Sequence, residues 1–82
     1  MYYLYILKCA DDTLYTGITT DLDRRIFEHN TSDLGAKYTH ARRPVVLVYS
    51  KSYRNRSTAS KAEARVKKLS RAEKCGMIDG VK

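Results

Sequence analysis

Two β-prone segments at the start of the chain constrain the fold more than anything else in it. Tyr2 to Cys9 is aromatic and aliphatic on both alternating faces, as suits a strand covered on both sides, and Thr13 to Ile18 is a second such run. Only the turn-forming Ala10-Asp11-Asp12 separates them, which predicts a β-hairpin. The turn length decides which side chains share a face. A three-residue connection with Asp12 left-handed sets Cys9 opposite Thr13 and Leu7 opposite Tyr15, with Tyr5 diagonal to Tyr15 at ~7–8 Å. A two-residue Asp11-Asp12 turn would place the two rings on opposite faces. Gly17, near the end of the second run, permits a bend or a close backbone approach.

Beyond the hairpin the periodicity changes. Asp21 can cap a helix from Leu22 to about Asn30, with Leu22, Ile26 and Phe27 inward and Arg25 and His29 stacked on a neighbouring face. Thr31 to Arg43 has no period and reads as a basic surface loop, and Val45 to Tyr49 is an unbroken apolar run that predicts a short buried third strand. Asn55 or Ser57 starts a helix with Ala59, Ala62, Val66 and Leu69 on one stripe. Ser70-Arg71-Ala72-Glu73 is a capping-box pattern that opens a short last helix, and Gly76 to Lys82 reads as a frayed tail. The expectation is an α+β fold in the order β-β-α-β-α-α, a three-stranded mixed sheet flanked by helices. With 82 residues the chain is expected to form one domain, its core running from about residue 2 to residue 74.

Charge narrows the partners. Sixteen Lys and Arg against nine Asp and Glu give +7, a balance that favours polyanions, with nucleic acid foremost. Residues 1–36 hold three basic and six acidic groups, residues 37–82 thirteen and three, so the later part of the chain is expected to supply the electrostatic footprint. Cys9 and Cys75 form no CxxC pair, which argues against a zinc site and for free thiols in a reducing, cytoplasmic setting. The apolar N-terminal run is far short of the ~20 residues that span a bilayer, so no membrane association is expected.

Several residues could carry chemistry. Tyr5 and Tyr15 are either ordinary strand residues or a functional pair. Glu63 stands one position after Ala62 on the apolar stripe, in the most basic segment. It is either an ion-pair partner for a nearby Arg or Lys or a ligand for a hard cation such as Mg²⁺, which one carboxylate and a substrate phosphate can hold. Arg25 and His29 could grip and protonate a phosphate, or form a solvent-facing ridge.

The stretches Tyr3-Leu4-Tyr5, Tyr15-Thr16-Gly17, Asp21 to His29 and Ser60-Lys61-Ala62-Glu63, taken in this order, resemble the GIY-YIG nuclease superfamily. Gly35-Ala36-Lys37-Tyr38-Thr39 and Arg42-Arg43-Pro44 resemble its small stand-alone members in particular, which are similar to the catalytic domain of structure-specific endonucleases. The resemblance implies a metal-dependent phosphodiesterase acting on DNA rather than RNA, with branched or damaged structures as candidate substrates. By position, Tyr5 and Tyr15 would orient or deprotonate the attacking water, Arg25 would stabilise charge on the phosphate, His29 would join them, and Glu63 would hold one Mg²⁺ or Mn²⁺. Lys37, Tyr38, His40, Arg42, Arg43 and Lys61 would contact nucleic acid, with selection of the target left to the shape of that surface or to a protein partner. Many members of that superfamily carry an Asn beyond the glutamate, whereas no Asn follows Asn55 here. The alternative expectation is a catalytically weak nucleic-acid-binding module of the same fold.

Overall fold

The computed structural model describes residues 1–31 and 41–79. Its elements are β1 (Tyr2–Lys8), β2 (Leu14–Thr19), α1 (Leu22–Thr31), β3 (Val46–Tyr53), α2 (Arg56–Lys67) and α3 (Arg71–Asp79). The turn between β1 and β2 is the three-residue form. Asp12 takes φ 70°, a conformation that Asp tolerates better than most residues. Its N–H donates to the Cys9 carbonyl, and Cys9 N–H donates to the Thr13 carbonyl, each at 2.9 Å. The Asp11 carboxylate accepts from the Thr13 N–H and hydroxyl, which pins the turn. The register that follows pairs Leu7 with Tyr15 and Tyr5 with Gly17.

The sheet order is β2-β1-β3, and β1 is antiparallel to both neighbours. The expected sheet was mixed. β2 and β3 do run in the same direction, but β1 lies between them, so no neighbouring pair is parallel. Leu4 and Ile6 on one face pack with Ala62 and Val66 of α2 and with Met77 and Ile78 of α3. Tyr5, Leu7 and Cys9 on the other face pack with Leu22 and Ile26 of α1. Helices therefore cover both faces, and the apolar character of both faces of β1 follows from its central place.

Three local expectations change. The third strand is an edge strand reaching Tyr53, with Val46 60% exposed. A register shift where Ile6 pairs with Tyr49 and Leu7 with Leu47 leaves an extra residue in β3, so its apolar run serves both faces without strict alternation. Phe27 is 65% exposed, because Leu22, Ile26 and His29 lie at the spacing that faces the sheet and Phe27 falls off that line. The segment from Gly76 is helical to Asp79, since Met77 and Ile78 find apolar partners. The caps are as expected: Asp21 accepts from Arg24 N–H, Asn55 from Thr58 N–H, and Ser70 and Glu73 bond reciprocally. Among the described residues, no helix is long and apolar enough to cross a membrane.

Asn30 fastens α1 to the approach of β3: its amide accepts from the Val45 N–H at 2.7 Å and donates to the Val45 carbonyl at 3.1 Å. Asn30→Ala removes both bonds and leaves backbone groups of a buried residue without them. The expected cost is ~1–3 kcal/mol, read as a lower urea midpoint with an unchanged slope.

Candidate active site

Tyr5 projects from the central strand toward α1 and then out over β2, where its partner in the register is Gly17. A Cβ at Gly17 would stand 2.5 Å from Tyr5 Oη and 2.8 Å from Cζ, so glycine is what lets the ring pass. The close approach is by the Tyr5 side chain and not, as expected from the sequence, by backbone. The Tyr5 hydroxyl lies 3.0 Å from His29 Nε2 and accepts from Arg25 Nε at 3.4 Å. Tyr15 completes the cluster, its ring centroid 6.4 Å from that of Tyr5 and 5.2 Å from that of His29.

His29 is the most enclosed residue of α1, 0% exposed, and so is no part of a solvent-facing ridge. Burial pushes its pKa down to about 4, with the Arg25 and Arg43 charges acting in the same direction against Glu28. The imidazole is therefore neutral at pH 7. With Arg25 donating to the Tyr5 oxygen, the phenol proton is donated to Nε2 of the neutral imidazole. Burial likewise raises the Tyr5 pKa above its usual value, with Tyr15 and Glu63 adding to it and Arg25 opposing. Tyr5 is thus a phenol at neutral pH, bonded to His29 and Arg25. Tyr15, also on the α1 side of the sheet, is the less buried of the pair.

Arg25 is held from two sides. Its Nη1 donates to Glu28 Oε1 at 3.0 Å while Arg24 Nε donates to Oε2 at 3.1 Å, and its side chain keeps 27% exposure. Glu28 was missed in the sequence, although its spacing from Arg24 and Arg25 is that of helical ion pairs. Glu63 stands on α2, which packs on the other face of the sheet. Its side chain is 24% exposed, it pairs with Lys67 at 3.4 Å, and its charge is among those that raise the Tyr5 pKa. Of the two expectations for Glu63, the ion pair is the one observed, with Lys67 as the partner. Among the described residues, no three His, Cys, Asp or Glu side chains gather to hold a metal. A lone half-buried carboxylate suits a hard cation that fills its remaining positions with water and phosphate oxygens, as Mg²⁺ does, and does not suit a closed zinc site.

The other expected nucleic-acid contacts divide. Lys37, Tyr38 and His40 lie outside the described residues. Arg42 pairs with Asp11 at 3.0 Å and Arg43 Nε donates to the His29 carbonyl at 2.6 Å, so both are tied to the molecule itself. Lys61 is exposed on α2.

Two tyrosines of a hairpin, one of them crossing a glycine, stand together with an arginine and a histidine of the next helix. The chain belongs to the GIY-YIG catalytic domain family, which it matches over residues 1–75. Within that class it is similar to UPF0213 proteins. One from Desulfotalea psychrophila is 58% identical over 77 residues, 94% of this chain and 70% of that protein. One from Halobacterium salinarum is 50% identical over 74 residues, 90% and 95% of the two chains. The solution NMR structure of a UPF0213 protein from Bacillus halodurans is 44% identical and superposes with a TM-score of 0.64, covering 99% of this chain and 86% of that one.

Two outcomes test this geometry. Gly17→Ala should displace the Tyr5 ring and cost ~1–3 kcal/mol, with the loss of the Tyr5–His29 bond visible in the imidazole nitrogen shifts by NMR. His29 should also make stability depend on pH. Its folded pKa of about 4 lies below the usual ~6.5, so the unfolded chain binds the proton first. Its contribution is complete above pH ~6.5 and falls by up to ~3 kcal/mol as pH drops toward 4; denaturant titrations of His29→Gln should lack that part of the slope.

Proposed function

We propose that this chain is a divalent-metal-dependent endonuclease that hydrolyses phosphodiester bonds in DNA, with branched or damaged DNA as its substrates. The observation that carries the reading is the convergence of Tyr5, Tyr15, Arg25 and His29 on one cluster that also feels the charge of Glu63. An ordinary structural tyrosine would have no need of such company.

The chemistry follows from the state of each group. Arg25, held by Tyr5 and Glu28, presents a fixed cation to a phosphate oxygen and gains most where negative charge develops. Tyr15 aligns a water with its hydroxyl, opposite the leaving oxygen. Tyr5 stays protonated and, through its bond to neutral His29, keeps Arg25 in place. Glu63 would hold Mg²⁺ or Mn²⁺, exchanging its weak pairing with Lys67 for the metal. When bound, the ion supplies Lewis acidity toward the phosphoryl and leaving oxygens.

The test is nicking of supercoiled plasmid. Wild type should nick with Mg²⁺ or Mn²⁺ and stop on chelation. Arg25→Ala and Glu63→Gln should each lose on the order of 10²-fold or more, and Tyr15→Phe should be impaired at unchanged stability. A wild type that never nicks, or variants that nick as well as it does, would defeat the reading. Binding without nicking, with a steep salt dependence, would identify a binding module of the same fold.

A further inference from the structure

On the sheet face opposite α1, a groove of about 310 Å³ runs between β3, α2 and α3. Its floor includes Leu4, Val66 and Met77, and Tyr49 and Tyr53 of the edge strand form one side. Lys51 and Arg65 stand at its rim, and the lining includes no acidic residue. Among the described residues neither cation has a carboxylate partner, and both are exposed. The Lys51 ammonium lies 5.6 Å from the centre of the Tyr53 ring. Lys61 and Lys68, also exposed, extend the positive charge along the ridge of α2 that holds Arg65.

We infer that this groove takes an unpaired nucleotide of a single-stranded nucleic-acid segment, its base against Tyr53 and Tyr49 and its phosphates on Lys51 and Arg65. An apolar, tyrosine-sided hollow of this size would accept many small groups. Cations without carboxylate partners favour an anion, and Lys51 beside the Tyr53 ring sets charge next to an aromatic wall, as a nucleotide, a flat ring joined to a phosphate, requires. The inference deepens the nuclease reading and rests on it for the identity of the polymer. Residues two apart on a helix are ~200° apart around its axis, so Arg65 borders the groove while Glu63 lies on the opposite flank of α2. A substrate with a duplex at the cluster and a single-stranded tail over α2 would occupy both.

The experiment measures binding in metal-free buffer, where nothing is cut, by titrating the chain with a short oligothymidylate and with an abasic oligomer of equal length and charge. Oligothymidylate should bind saturably and shift the NMR signals of Met77 and Leu69, and the abasic oligomer should bind about ten-fold or more weakly, as loss of a stacked base implies. Arg65→Glu, a surface change that should not disturb folding, and Tyr53→Ala should each weaken oligothymidylate by a similar factor. Equal affinity for the two oligomers would overturn the inference, as would unchanged binding by both variants or shifts confined to the surroundings of Tyr15. These results do not depend on nicking: a chain that nicks but fails them refutes the groove alone, and a chain that passes them but never nicks refutes the nuclease reading alone.

Discussion

The hydroxyl of Tyr5 is the point on which the site depends. It is carried by the central strand, passes beyond the second strand only because Gly17 has no side chain, and meets both functional groups of α1. Burial drives the two aromatic partners toward one condition. Tyr5 is held above its ordinary pKa and His29 below its own, so both stay neutral and share a hydrogen bond that costs far less to bury than an ionic one. The charge beside them belongs to Arg25, which keeps partial exposure and has Glu28 alongside. The arrangement separates a neutral, rigid interior from a cation at its mouth.

Much of this was legible in the sequence because it is local. The hairpin, its odd-length turn and the sharing of a face by Tyr5 and Tyr15 follow from period-two alternation and from the tolerance of Asp12 for a left-handed conformation. The helix caps at Asp21, Asn55 and Ser70 follow from side-chain chemistry one turn away. What could not be read depends on neighbours distant in sequence. Phe27 is as apolar as Ile26, and only the angle at which α1 meets the sheet decides that His29, and not Phe27, turns inward. The run Val45–Tyr49 looks like a buried strand, and its edge position with an added residue is set by β1 already having β2 on its other side. Glu28 carries an ordinary helical ion-pair signal, and its duty appears only once Arg25 is known to need holding.

The charge pattern acquires a meaning that composition lacks. Three acidic residues of the first part are engaged in ion pairs, some of which tie the two parts together: Asp11 with Arg42, Asp12 with Lys8 and Arg71, Glu28 with Arg24 and Arg25. Among the described residues, the cations left without carboxylate partners include Lys51, Lys61, Arg65 and Lys68, on β3 and α2. Folding thus leaves cations of the basic later part on β3 and along α2, where a phosphate backbone would gain most.

The order of these groups along the chain has a consequence for its synthesis. Tyr5, Tyr15, Arg25 and His29 all lie in the hairpin and the helix that follows it, with the Tyr5–His29 contact spanning 24 positions, whereas Glu63 belongs to α2. Chains are made and begin to fold from the N-terminal end. A nascent chain therefore acquires its phosphate-facing groups while the carboxylate is still unmade. Under the chemistry proposed for the site, an unfinished chain is inert, and the hazard of a free nuclease arises only once α2 has packed onto the sheet.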